Sequence, residues 1–221
     1  MNTIKILKSI DFFNKLTEEQ YKQLEDIASI RNFNKDTIIY YESDIDYSLQ
    51  FLVSGTVKIY KIDKYDNEIF LYYIYPKNMV SEFTSMDDNS IYCFSNAEFI
   101  ENGSILSIHF KKFKESFIDS GILASVFIKE ILNKSHQLQS ILNRELVFDA
   151  TAKVTYMLHN DLEIFNSLKK TEIAFMLHIQ PETLSRIIKK LMRNSIIEQV
   201  EKKYLIKDEL QLLSSFQGIG I

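Results

Sequence analysis

Residues Thr171 to Arg193 read TEIAFMLHIQPETLSRIIKKLMR. Apolar Ile173, Leu177, Ile179, Leu184 and Ile187 recur there at helical spacing on either side of a short break, His178-Ile179-Gln180. Pro181 follows the break; a proline in the first turn loses no helical hydrogen bond, so a second helix starts there. Two helices that cross closely need a small residue at the contact, and Ala174 stands at that offset. The pattern predicts a helix-turn-helix. His178 falls where glycine is usual, so it is read as a turn residue tolerating an unusual φ.

In that register the exposed face of the second helix carries Glu182, Ser185, Arg186, Lys189, Lys190 and Arg193, with Gln180 and Pro181 at its entry. An arginine can donate two bonds to guanine and a glutamate can accept from a cytosine amino group, so Glu182 and Arg186 together could read a G·C pair. Lys189, Lys190 and Arg193, further along, lie where phosphates would pass. Downstream, IIEQVEKKYLI alternates like a small hairpin, with Lys202 and Lys203 at its tip as a wing over backbone phosphate or as a solvated turn. The alternative for the whole segment is an amphipathic helix with a solvated basic face.

Upstream, Ile122 to Val147 has no proline or glycine, which permits one long helix with two apolar stripes. Phe127, Ile131, Leu138 and Ile141 form the stripe assigned to a coiled-coil-like dimer seam. Ile128, Leu132, Leu142 and Leu146 are assigned to packing on the preceding domain. A helix buried within its own subunit is the other reading. After it, Asp149 is an N-cap for a helix through about Phe165, followed by two short helices.

The first half of the chain has another texture. Leu16 to Ile30 reads as an amphipathic helix, with Thr17 and Gln20 at capping-box spacing. From Phe33 come short runs rich in Ile, Val, Tyr and Phe: TIIYY, LQFLVSG, TVKIYKI, EIFLYYIY, IYCFSNAEFI and SILSIHF. They read as strands of a closed sandwich or roll. Asp66-Asn67-Glu68 suits a hairpin, and Gly55 and Gly103 are read as turn positions needing positive φ. The expected class is α+β: a β-roll with an N-terminal helix (1–120), a central dimerisation helix (121–148) and a winged helix-turn-helix (149–221).

Composition narrows the function classes. The 221 residues are 46% hydrophobic and 25% charged, as in a folded globular chain. The net charge of −4 hides an asymmetry: from Asp149 onward ten Lys/Arg face nine Asp/Glu, so the excess of acid lies upstream. The single cysteine, Cys93, excludes an internal disulfide and an iron–sulfur cluster on four thiolates. It is read as a small buried hydrophobe. The N-terminus lacks a signal-peptide pattern and no run of about 18 apolar residues occurs, so a cytoplasmic protein without a membrane partner is expected. A cupin-like enzyme is the competing class, but from Phe33 to Phe110 His109 is the only histidine available as a metal ligand.

The order of roll, long helix and winged helix-turn-helix resembles the Crp/Fnr regulators over roughly residues 10 to 213. LVSGTVKIY, the long helix and IQPETLSRIIKKL carry the resemblance. The last segment is similar to the Fnr and nitric-oxide-responsive branches in placing Glu182, Ser185 and Arg186. The resemblance implies a TTGAT-like half-site in a two-fold symmetric target, with double-stranded DNA, a second copy of the chain and RNA polymerase as partners. Cyclic-AMP-binding members pair Gly-Glu with a later Arg-Ser; here the residues are Ser81-Glu82 and Tyr92-Cys93, so no cyclic AMP is expected. Glu82 is then read as a salt-bridged or solvated carboxylate. Heme with nitric oxide, a metabolite, redox chemistry or no effector at all stay open as inputs. His109 and His136 are the candidate heme ligands, ahead of His159.

Overall fold

A computed structural model describes residues 3–83, 85–86 and 88–216, so the last five residues of the winged segment lie outside the described residues. The chain divides into two compact units, Met1–Ser135 and His136–Ile221, and the division falls inside the long helix rather than at its ends.

The first unit opens with helices α1 (Thr3–Ser9) and α2 (Glu18–Glu25), separated by a 3-10 turn at Asp11–Phe13. Thr17 caps α2: its Oγ1 accepts from the Gln20 N–H, and the Gln20 side chain accepts from the Thr17 N–H at 2.9 Å. The expected helix to Ile30 ends early, because Ala28–Phe33 is drawn into a strand, β1, that pairs along its whole length with β9. Cross-strand pairing overrides the helical spacing of Ile27 and Ala28.

The roll continues with β2 (Ile38–Tyr40), β3 (Ile45–Asp46), β4 (Ser48–Ser54), β5 (Val57–Ile62), β6 (Glu68–Ile74), β7 (Ile91–Tyr92), β8 (Asn96–Phe99) and β9 (Gly103–His109). Its antiparallel sheets have the orders β1-β9-β4, β2-β8-β5-β6 and β3-β7. Strand β9 is buried on both faces, and its period of two divides it between two cores. Leu106 and Ile108 join a core lined by α1, α2 and the helices after the roll. Ile105 joins Tyr40, Leu52, Val57, Ile59, Val80, Cys93, Ala97 and Phe99. The β5–β6 hairpin turns at Asp66, whose φ is +62°, with the Asp63 carboxylate accepting from the Tyr65 and Asn67 N–H groups.

Gly55 has the expected positive φ, +85°. Gly103 needs its small size instead: a Cβ there would lie 2.3 Å from the Ser54 carbonyl oxygen and 2.4 Å from the Phe99 ring. Helix α3 (Phe110–Phe113) and a π-turn (Lys114–Ile118) lead to α4 (Ala124–Leu146).

The two stripes of α4 do not divide as they were assigned. Phe127 is 2% exposed and packs with Phe12 and Phe83 in the core of its own unit, so it is not available to a second subunit. Ile141 is half-buried. Ile131 and Leu138 are exposed as the assignment requires, and so are Ile128, Leu132, Leu142 and Leu146, which were assigned to packing inside the subunit. Sequence periodicity places residues on a common face; which face the subunit consumes depends on the aromatic side chains of the 3-10 turn and the roll.

The second unit holds α5 (Ala150–Asn160), α6 (Leu162–Ser167), α7 (Lys170–Met176), α8 (Pro181–Arg193), β10 (Ile197–Val200), β11 (Lys203–Ile206) and α9 (Glu209–Ser214). Asp149 caps α5, its Oδ1 accepting from the Ala152 N–H at 2.8 Å. The helix expected to run to Phe165 breaks at Asp161 into α5 and α6, which brings buried Phe165 against Tyr204 of β11. Among the described residues no helix is long and apolar enough to cross a membrane.

Candidate nucleic-acid interface

Helices α7 and α8 form the helix-turn-helix. Ala174 is buried at their crossing, with Ile173, Leu177, Leu184 and Ile187 also buried and Ile179 partly so. Ile188 and Leu191 complete the inner face of α8. The turn is a Schellman motif: the Ile179 N–H donates to the Ala174 carbonyl at 3.0 Å and the His178 N–H to the Phe175 carbonyl at 3.1 Å. His178 takes the left-handed position at φ +51°, as its place in the sequence predicts. The same motif ends α8, where Ser195 has φ +58° and the Ile196 N–H donates to the Leu191 carbonyl.

Burial of the inner face fixes what the outer face presents. Glu182, Arg186, Lys189, Lys190 and Arg193 are exposed, and Ser185 and Pro181 are half-buried on the same helix. Gln180 is the exposed N-cap residue with an extended backbone, and Pro181 occupies the first turn. One acidic and four basic side chains thus project from one helix. Strands β10 and β11 make the wing, with Gln199 opposite Tyr204 and Val200 opposite Lys203. Glu201 and Lys202 form the two-residue tip, and Lys203 is the first residue of β11, not part of the tip. Both lysines are exposed. Asn166 anchors the wing: its side chain accepts from the Tyr204 N–H at 2.7 Å and donates to the Tyr204 carbonyl at 3.0 Å.

A polar cluster at the end of α4, absent from the sequence reading, touches this unit. Glu145 Oε2 lies 2.8 Å from Lys153 Nζ on α5 and 3.0 Å from His178 Nδ1, while its Oε1 accepts from Arg144 Nε at 2.8 Å. Burial alone would raise the Glu145 pKa, but the bonds from Lys153, His178 and Arg144 outweigh it and bring the group down to about 2. Local sequence gives one hint of the cluster, a histidine where a glycine would be easier.

The roll places its own candidate residues differently. Glu82 has no salt bridge among the described residues and is not simply solvated: its carboxylate accepts from the Phe94 N–H at 2.7 Å, the Ser95 N–H at 3.2 Å and Ser95 Oγ at 2.8 Å. The backbone after β7 curls around it, a long-range contact invisible to local pattern. Tyr92 is partly exposed and donates from its hydroxyl to Ser43 Oγ. Cys93 is buried, and burial, reinforced by Asp46, Glu82 and Asp44, pushes its thiol up to about 12, unsuited to thiolate chemistry. His109 ends β9 and His136 sits on α4, both exposed. A heme would need an apolar cleft beside its axial ligand, and exposed surface positions do not fit that requirement. Among the described residues no three His, Cys, Asp or Glu side chains are grouped to hold a metal ion.

Comparison with known proteins places the two units. A model of the cyclic nucleotide-binding domain matches residues 30–119, and one of the Crp-like helix-turn-helix domain matches residues 152–214. The anaerobic regulatory protein of Bacillus subtilis is 26% identical over 125 residues, 57% of this chain and 52% of that protein, so the match spans about half the length of the curated relative. Among solved structures, a CooA variant from Carboxydothermus hydrogenoformans aligns with TM-score 0.72 at 18% identity, covering 98% of this chain and 95% of that one. FixK2 from Bradyrhizobium japonicum aligns with TM-score 0.63 at 17% identity, covering 84% and 96%. At such identities these likenesses speak for the fold. The chain thus carries a cyclic nucleotide-binding domain followed, beyond the long helix, by a Crp-like helix-turn-helix domain, the domain order of a Crp/Fnr-type DNA-binding transcription regulator.

Proposed function

We propose that the protein is a homodimer that binds a two-fold symmetric DNA site through α8, reading bases with Glu182 and Arg186 and gripping phosphate with Lys189, Lys190, Arg193 and the wing lysines. The observation that carries this is the exposed face of α8: a base-reading pair near the N-terminus is followed by three cations toward the C-terminus. Ser185 and Gln180 flank the pair. The half-site is the TTGAT-like sequence that the Fnr and nitric-oxide-responsive branches imply. RNA polymerase is the partner a transcription regulator of this kind addresses.

For the dimer seam we reassign the residues. Ile128, Ile131, Ser135, Leu138 and Leu142 follow one another at alternating spacings of three and four along α4, the heptad spacing of a two-stranded coiled coil. The four apolar members are 39% to 58% exposed, so a monomer leaves them in water. Covering such a stripe with its copy is the two-fold solution that a symmetric DNA site requires.

The roll takes no cyclic nucleotide in this proposal. Tyr92 offers no counter-charge to a cyclic phosphate, and the N–H groups of Phe94 and Ser95 are already engaged by the Glu82 carboxylate. Nitric oxide through heme is the input that the branch resemblance implies, but His109 and His136, both exposed, do not fit a heme.

The test is binding of purified protein, at fixed salt, to a duplex of facing TTGAT and ATCAA half-sites against a scrambled duplex, with and without heme and a nitric oxide donor. Tight binding to the first duplex alone is expected, together with a dimer in sedimentation. Equal binding to both duplexes overturns the half-site, and a monomer on DNA overturns the seam. Heme dependence would reopen the search for an axial ligand among Met and Tyr.

A further inference from the structure

Resting on the DNA-binding reading above, we propose that Glu145 is a positioning residue. Through His178 it clamps the turn before α8 to the last turn of α4, and so sets the separation at which two copies present their recognition helices.

The argument begins with what a helix end needs. Leu142 is 56% exposed and Leu146 80%, so apolar burial does little to orient the end of α4 against the helix-turn-helix. Polar ties do it instead. Ser140 Oγ and the Tyr156 hydroxyl meet at 2.8 Å, and Glu145 reaches both Lys153 and His178. Lys153 is 8% exposed, and a buried ammonium without a carboxylate is costly, so Lys153 holds Glu145 in place rather than leaving it free to swing into water.

His178 is the informative member. A left-handed helix end favours glycine, and a side chain there is strained. The histidine bears that strain and supplies an Nδ1–H to a carboxylate that can only accept. It stands three residues before Pro181, so holding its ring holds the entry of α8. Leu138 and Leu142 of the proposed seam lie on the same last turns of α4. The C-terminal half of the seam, the clamp and the recognition helix therefore all lie within the second unit, and half-site spacing is the property the clamp controls.

Glu145→Ala would strand Lys153 and confuse folding with function. The discriminating variant of the full-length protein is His178→Gly, because glycine suits the turn while removing the ring. Glu145→Gln, which keeps the shape but not the charge, is the conservative companion. Each is tested on duplexes whose two half-sites are moved apart or together by single base pairs, with amide hydrogen exchange of Leu177 to Ile179 as a readout free of DNA.

Wild type should prefer one spacing by about fivefold or more. His178→Gly should flatten that preference to within about twofold and speed exchange in the turn, with the choice of half-site sequence kept; Glu145→Gln should fall between. An unchanged spacing profile in His178→Gly sinks the clamp and leaves the DNA-binding reading standing. Wild type indifferent to half-site sequence sinks both.

Discussion

The two ends of α4 carry similar apolar residues and meet opposite fates. Near its start, Phe127 is taken into an aromatic core with Phe12, Phe83 and Phe113. Toward its end, Leu138, Leu142 and Leu146 remain in water. One continuous helix thus serves as an internal wall for the roll and, further on, leaves an apolar face uncovered. A stripe of leucines says that a helix will be buried; the molecule around it decides by whom.

The strongest way to break that comparison is at the exposed end. Replacing Leu138 and Leu142 together by Glu should leave a folded monomer and lower affinity for the two-fold site by about 10²–10⁴-fold, the loss expected when two tethered contacts become one. Sedimentation and DNA titration check it, and a dimer that survives both charges would move the seam off this face. At the buried end, Phe127→Ala should cost about 3–5 kcal/mol of stability without changing the oligomeric state, read by denaturant unfolding. A monomeric but fully stable Phe127→Ala protein would restore Phe127 to the interface.

Smaller effects sharpen the division between base-reading and phosphate-binding residues on α8. Arg186→Ala should cost about 1–3 kcal/mol on the specific site and relax the preference at its guanine. Lys189→Ala should weaken specific and scrambled duplexes alike and reduce the salt dependence of binding. Equal losses on both duplexes for both variants would remove Arg186 from base reading.

The smallest effect is at acid pH. Glu145 titrates near 2 in the fold against an ordinary value of 4.5. A depressed carboxylate contributes stability in full above its unfolded pKa, and that contribution is lost as pH falls through the folded value. The second unit should therefore lose stability between about pH 4.5 and 2, and Glu145→Gln should remove part of that slope, softened because the side chain is partly in solvent. Identical acid unfolding in the two proteins would show that the cluster contributes no net stabilisation.

Much of the second unit was legible beforehand because its signals are local. Pro181 at a helix start, Asp149 as a cap, His178 at a left-handed turn and the alternation of the wing each depend on residues a few positions apart, as does the Thr17 cap in the first unit. Lys203 slipped from tip to strand, an error of one residue in a short hairpin. The roll was legible as strands but not as chemistry. Gly103 was assigned a turn role when Ser54 and Phe99 demand its small size, and β1 was hidden because its pairing with β9 joins residues 70 to 80 positions apart.

Sequence by itself determined the order of elements, the helix-turn-helix register and the side chains that face outward from α8, since periodicity and turn chemistry act over a few residues. Only the tertiary structure decided that Phe127 belongs to the roll, that Glu82 is held by the backbone of Phe94 and Ser95, and that Glu145 meets Lys153 and His178. Those contacts join residues 8 to 115 positions apart, and proximity across such distances is a property of the packed core.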